Sequence, residues 1–282
     1  MNLTVFHDPQ TVLDQARTYL EAKEPNNSLI LGRLEQMRQA ALHGSTSPPP
    51  LLIIARDGQS EIQLVADCNP INLVLSHGHP DAITPLIQEI ASREYLPPGV
   101  VGPVDLVTEF CSQWSQATGI EVQHIMRQAI MSLTQIKEPR SVSGELKLMR
   151  EEDVEVVADF LGKFDREALG SEEPEHPKYL DYAKHRVSQK MTYLWWEEST
   201  PKSMAALARP TQNGITVNAV YTPPRYRGHG YASNTVAEIS RLGLTRGKRF
   251  CVLYTDLSNP ISNAIYQRLG YERVGDSMHC RF

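Results

Sequence analysis

The chain has 282 residues, enough for two domains of ordinary size. With 41% hydrophobic and 22% charged residues, it has the composition of a globular protein and not of a disordered one. Its formal charge of −5 lacks the basic surplus of a general nucleic-acid binder, so nucleic acid is not an expected partner.

Residues 1 to about 40 read as helical. Val12, Ala16, Tyr19 and Leu20 recur at helical spacing, and Leu29, Leu31, Leu34 and Met37 continue the pattern after Pro25-Asn26-Asn27. The opening MNLTVFHDPQ has no basic region followed by an apolar one, so no secretory signal is expected. Gly44 to Pro50 is a loop. Leu51 to Ala55, Glu61 to Ala66 and Asn72 to Leu75 read as strands, with Asp57-Gly58 turning between the first two. These apolar runs fall far short of a membrane span, and no membrane association is expected. His77-Gly78-His79 has no second ligand cluster beside it and reads as a polar loop, so no metal is expected.

Asp81 opens a helix through about Glu94, and Val104 to Thr118 is a second, stopped by Gly119. Ile120 to Ile136 suits a strand, although Met126-Arg127-Gln128-Ala129 fits a helix equally. Lys137 to Gly144 is polar and carries Pro and Gly, which places a domain boundary there: 1–139 and 144–282. Cys68, Cys111, Cys251 and Cys280 form no CxxC pair, as expected of buried free thiols in a cytoplasmic protein.

The second half has a sharper rhythm. Leu146 to Arg150 is a strand, and Glu151 to Phe164 is a helix with acids in its first turn. Glu172 to Pro177 is a loop and Lys178 to Lys190 a helix. Thr192 to Glu197, Ser203 to Ala208 and Gly214 to Tyr221 form an antiparallel meander. Trp195 and Trp196 lie on its first strand, where packing accounts for both. A turn at Thr222 to Gly230 opens a helix from Tyr231 to about Arg246. Phe250 to Tyr254 is a strand, Ser258 to Leu269 a helix, and Tyr271 to Val274 and Met278 to Phe282 are the last strands.

The turn carries the chemistry. Exposed amides at a helix start form an anion site, strengthened by the helix dipole. Gly228 and Gly230 remove side chains where a phosphate must approach the backbone. Arg225 and Arg227 supply charge to neutralise a pyrophosphate. The spacing is not GxGxxG and the preceding strands look antiparallel, which weighs against a dinucleotide site.

Two motifs at matching separation, R-Y-R-G-H-G-Y-A at 225–232 and N-P-x-S-N-x-I-Y-Q-R-L-G-Y at 259–271, resemble the GNAT superfamily of acetyltransferases over roughly residues 144 to 282. The resemblance implies an α+β fold with a mixed, mostly antiparallel sheet flanked by helices. It implies acetyl-CoA as cosubstrate and an acyl group moved to an amine of a small molecule or peptide. Backbone amides from Arg225 through Tyr226, Arg227, Gly228, His229, Gly230 and Tyr231 to Ala232 would hold the pyrophosphate. The main chain of Ala219, Val220 and Tyr221 would pair with the pantetheine arm. Asn259 would meet the pantetheine or acyl end, Asn263 belongs to the same motif, and Tyr266 stands where the family often has its general acid.

That chemistry suits acyl transfer. A backbone N–H near Val220 can stabilise the tetrahedral oxyanion, and a phenol can return a proton to the leaving thiolate. Tyr266 reads alternatively as a core aromatic. Some family members place a carboxylate on the strand before the turn, but Ile215 to Val220 has no acid. Glu167, Glu197, Glu198, Asp256 and relayed water remain as bases, and Asn218 either orients an acceptor or points outward. Direct attack is favoured over a covalent enzyme, because the motifs place no cysteine at the cleft. Acceptor selection would fall in Phe164 to Tyr182, where Glu172, Glu173 and Glu175 could attract a cationic amine. A non-catalytic acyl-CoA-binding regulatory module is the alternative function.

The first half has no comparable glycine turn with arginines. Val100 to Val104 opens a helix after a strand, in a place analogous to the turn of the second half. The order of elements echoes a GNAT fold, as in two-domain members such as the glycine N-acyltransferase-like proteins. Two similar domains in tandem are therefore expected, the first degenerate, since Pro103 deletes a donor there. A non-homologous cap is the competing view, and a homodimer or partner surface on this half is left open.

Overall fold

A computed structural model describes residues 1–44, 48–169 and 176–282. The chain begins with a strand, β1 (Asn2–Phe6), where helix was expected from the first residue. Five residues are too few to show a period, and the strand is fixed by a distant partner: Asn2 to Phe6 pair antiparallel with Arg56 to Leu52 of β2 (Leu51–Arg56). Helices α1 (Pro9–Glu21) and α2 (Ser28–Leu42) lie between them in the chain. The Asp8 carboxylate accepts from the Gln10 and Thr11 amides at 3.2 and 2.9 Å and starts α1, with Pro9 in its first turn.

Then follow β3 (Ile62–Cys68), β4 (Leu73–Leu75), α3 (Ile83–Ser92), β5 (Gly99–Pro103), α4 (Val104–Thr118) and β6 (His124–Leu133). Segment 120–136, open between strand and helix in the sequence, is thus mainly strand. The second half runs β7 (Glu145–Leu148), α5 (Val154–Leu169), α6 (His176–Gln189), β8 (Thr192–Glu197), β9 (Thr200–Ala208), β10 (Gly214–Tyr221), α7 (Tyr231–Thr245), β11 (Phe250–Asp256), α8 (Pro260–Arg268) and β12 (Glu272–Arg281). Both halves therefore present one order: strand, two helices, three strands, helix, strand, helix, strand.

The chain forms two units: 1–130 with 254–258 and 273–282, and 131–253 with 259–272. Three of the four boundaries between them fall inside β6, β11 and β12. In the first unit the strands run β1-β2-β3-β4-β5-β12, antiparallel except where β4 meets β5. In the second they run β7-β8-β9-β10-β11, antiparallel except between β10 and β11. This is the mixed, mostly antiparallel α+β class that was expected.

Burial on both faces explains the apolar run LLIIA. Leu52 and Ile54 pack with Leu13, Leu20, Ile30 and Leu34 of α1 and α2. Ile53 and Ala55 pack with Leu86, Ile90, Phe110 and Trp114 of α3 and α4. In the second unit Phe160, Leu161 and Ala183 of α5 and α6 cover Leu194, Met204, Ala206 and Tyr221 of the sheet.

The last strand is continuous, not two strands split by Gly275-Asp276-Ser277. Gly275 is there for close approach: a Cβ on it would lie 2.0 Å from Asn26 Nδ2. All four cysteines are buried free thiols. Among the described residues no helix is long and apolar enough to cross a membrane.

Helix α7 approaches the sheet through Gly243, where a Cβ would meet Cys251 Sγ at 2.8 Å and Ile215 Cγ2 at 2.9 Å. Gly243→Ala should therefore destabilise the protein by about 1–2 kcal/mol, overpacking outweighing the better helix propensity of alanine. Urea unfolding measures this, and an unchanged or higher midpoint would show that the contact relaxes freely.

Candidate active site

Strands β10 and β11 pair in parallel only over Gly214, Ile215 and Thr216, opposite Phe250, Cys251 and Val252. Just beyond this pairing, the register of β10 on β9 shifts. Asn218 faces Ala206 and Tyr221 faces Met204, so Ala219 and Val220 stand against the single residue Ala205. Such a bulge takes backbone groups out of the ladder and bends the strand. Ala219 carries it at φ +50, a left-handed conformation that costs a non-glycine residue about 1–2 kcal/mol. The side-chain oxygens of Thr216 and Asn218, alternate residues of β10, are buried without hydrogen-bond partners.

After Tyr221 the chain makes a 3-10 turn at Pro224–Tyr226 and enters α7 through Gly228 and Gly230, at φ +81 and +89. No side chain caps α7, which leaves its first N–H groups outward-facing. A Cβ on Gly228 would meet nothing within 4 Å, whereas one on Gly230 would press on Val142 Cγ1 at 2.9 Å. Gly228 thus keeps open space beside bare amides, and Gly230 lets the turn pack.

Side chains brace this turn from distant parts of the second unit. Arg227 donates through Nε to the Thr222 carbonyl at 2.9 Å and through Nη2 to Glu167 at the end of α5. The Tyr221 hydroxyl donates to the other Glu167 oxygen at 3.0 Å. Burial, and then this hydrogen bond, push the Tyr221 phenol up to about 12. Lys202 and Arg225 stand 4.3 and 4.7 Å from the centre of the Tyr226 ring, so positive charge gathers at the turn. On the far side Glu197 accepts from Ser143 and, at 2.6 Å, from the Tyr231 hydroxyl. The Ser143 hydrogen bond, helped by Tyr231 and Lys202, holds the Glu197 carboxyl below its ordinary range. Its own hydrogen bond to Glu197 pushes the Tyr231 phenol up to about 12.

Tyr266 is buried on α8, its ring edge-on to Tyr271 at 5.9 Å. Burial pushes its phenol up to about 12, so it stays protonated well beyond neutral pH. Asn259 spends its side-chain oxygen capping α8, accepting from the Ser262 amide at 3.1 Å. The Asn263 amide donates to the Asn259 carbonyl at 3.2 Å.

The carboxylates considered as bases stand apart. Glu167 and Glu197 are both engaged by hydroxyl and cationic groups. Glu198 is exposed at a turn with φ +53. Asp256 belongs to the first unit and accepts from the Ser258 amide and hydroxyl at 2.8 and 2.7 Å. Glu172, Glu173 and Glu175 of the expected acceptor loop lie outside the described residues. The bracing role of Glu167 was not visible in the sequence, because its partners are 54 and 60 residues away and no local pattern joins them.

In the first half, the stretch that matches Thr222–Gly230 by element order is Ser76–His79, between β4 and the 3-10 turn that leads into α3, and not Val100–Val104, which joins β5 to α4. The two turns differ physically. A Cβ on Gly78 would collide with the Gln63 carbonyl at 2.3 Å, and the His79 amide is already bonded to that carbonyl at 2.9 Å. His79 Nδ1 occupies the Asp81 amide at 3.3 Å, and β3 pairs with β4 without a register shift. Among the described residues no group of three or more His, Cys, Asp or Glu could hold a metal ion.

Residues 158–271 match the family model described as the acetyltransferase (GNAT) family. None of the curated proteins matches the chain in sequence. A solved Drosophila protein is similar in fold over 99% of this chain and 98% of its own, with a TM-score of 0.68 at 16% identity. A GNAT-family acetyltransferase from Colwellia psychrerythraea matches over 100% of both chains, with a TM-score of 0.59 at 10% identity. A GCN5-related N-acetyltransferase from Sphaerobacter thermophilus covers 88% of this chain and 85% of its own, with a TM-score of 0.58 at 17% identity. At such identities the likeness is one of fold.

Proposed function

From a chain whose residues 158–271 match the model of the acetyltransferase (GNAT) family, we propose an acetyl-CoA-dependent N-acetyltransferase whose acceptor is an amine of a small molecule or peptide. The observation that carries this reading is the uncapped start of α7 beside the open face of Gly228, following a bulge in β10. Bare amides, a helix dipole and nearby cations fit a diphosphate, and the bulge frees main-chain groups for an extended pantetheine arm.

In this mechanism the amides from Arg225 to Ala232 hold the pyrophosphate, and Ala219 to Tyr221 align the arm. The neutral amine attacks the thioester carbonyl carbon, forming the C–N bond. The Val220 N–H donates to the oxyanion that results. As the C–S bond breaks, the Tyr266 hydroxyl protonates the leaving sulfur, and the proton lost by nitrogen passes to water and restores the phenol. Asn259 and Asn263 shape the start of α8 beside Tyr266. Cys251 is buried and its thiol is pushed up to about 12 by that burial, which favours direct transfer over an acyl-cysteine route.

We assign catalysis to residues 144–282 and read 1–139 as a GNAT-like domain that has lost coenzyme binding. The shared element order supports the likeness, and the filled turn at Gly78 supports the loss. Four free thiols suit a cytoplasmic setting. A non-catalytic acyl-CoA-binding module is the second reading, favoured by one observation: the nearby carboxylates Glu167 and Glu197 are both already engaged.

Thiol release from acetyl-CoA with a panel of primary amines separates the two. The enzyme reading expects amine-dependent release with the acetylated amine recovered. Coenzyme binding without release for any amine would leave the module.

A further inference from the structure

A cavity of about 240 Å³ lies wholly within the first unit, past the short parallel pairing of β4 with β5. Its wall is apolar at Leu29, Leu75 and Ile130 and polar at Lys23, His77 and Tyr254. None of these residues takes part in the acyl-transfer reading.

His77 is held from every side. Its amide donates to Asn27 Oδ1 at 2.9 Å, its carbonyl accepts from the Tyr19 hydroxyl at 2.7 Å, and its ring stacks on Tyr19 at 4.5 Å. Asn27 Nδ2 donates to the Leu20 carbonyl at 2.8 Å and lies 2.6 Å from His77 Nδ1. These bonds fix the amide, because a carbonyl must face its NH2 and an N–H must face its oxygen. Nδ1 therefore accepts, and the ring proton sits on Nε2. Burial, and then Lys23, hold the imidazole below its ordinary range, so it is the neutral tautomer that is fixed.

The cavity thus combines an oriented imidazole donor with an ammonium and an aliphatic floor. Of the two acids on its wall, Asp276 is bound by Arg273 at 2.6 Å and Asp105 is exposed. Donors with an uncommitted cation call for an acceptor-only, negatively charged group. That volume is room for a small organic acid and not for a large cofactor.

We propose that this cavity binds a small aliphatic carboxylate, its carboxylate oxygens facing Lys23 and His77 Nε2 and its hydrocarbon part lying on Leu29, Leu75 and Ile130.

The probes are isovalerate and its uncharged isostere isovaleramide, titrated into the full chain and followed by ligand-observed saturation-transfer NMR. Isovalerate should bind saturably, and isovaleramide about tenfold more weakly or less, the ratio expected for one charge-assisted hydrogen bond. Lys23→Gln, on an exposed side chain that leaves the fold intact, should weaken isovalerate about five- to tenfold and leave isovaleramide unchanged. His77→Ala should abolish isovalerate binding, but its loss of packing makes Lys23→Gln the deciding variant. No transfer to isovalerate at about 10 mM, equal binding of acid and amide, or an unaltered Lys23→Gln titration would each overturn the proposal. The measurement needs no coenzyme, so its outcome is independent of the acyl-transfer assay.

Discussion

Gly228→Asp should weaken acetyl-CoA binding by about a hundredfold or more while the protein stays folded. The substitution puts a carboxylate into the open space where the account places a diphosphate. Two like charges about 4 Å apart repel by about 4 kcal/mol at the effective dielectric of a protein surface, which is nearly a thousandfold in affinity. The backbone is the competing effect. At φ +81 any side chain is strained, but Asp is among the residues that tolerate the left-handed region, and the cost is about 1 kcal/mol. Gly228→Asn separates the two, since it carries the same strain without the charge. It should lose about tenfold or less. If the Asp and Asn variants bind equally well, no anion sits at this turn.

The second large effect is expected at Tyr266. Tyr266→Phe should lower kcat by about a hundredfold or more and leave the affinity for acetyl-CoA unchanged, as general acid catalysis contributes on that scale. The phenol is pushed up to about 12 by burial, so its proton is present through the neutral range and is lost only as pH rises through that value. The kcat profile of the native protein should therefore show no alkaline fall from this group near pH 10, where an ordinary tyrosine titrates. Removing one hydroxyl should change stability by about 1 kcal/mol or less, which thermal unfolding checks. Unchanged kcat would return Tyr266 to the core role that its edge-on packing against Tyr271 also permits.

What the sequence made legible follows physical range. Strand β10 was readable to both ends, because alternation and flanking turn residues are local signals. The turn at 222–230 and the helix after it were readable for the same reason. Strand β1 was not, since a five-residue strand is held by a partner about fifty residues away. Gly275 looked like a turn but answers to Asn26, a neighbour only in space. The bulge at Ala219 left no mark, because alanine at positive φ is imposed by its surroundings and not by its own preference. Glu167 was considered as a base and within the acceptor-selecting stretch, but its bonds to Tyr221 and Arg227, which brace the turn at 222–230, were not legible. Which first-half stretch matches the turn at 222–230 was not legible either, because element order puts it at Ser76–His79 and not at Val100–Val104.

Titration calorimetry of coenzyme A into the full chain tests most directly whether the bare amides around Gly228 take up a diphosphate. Saturable heat with one coenzyme bound per chain is expected, the affinity weakened by about a hundredfold or more in Gly228→Asp. A folded chain that gives no heat, or one that binds two coenzymes, would contradict it.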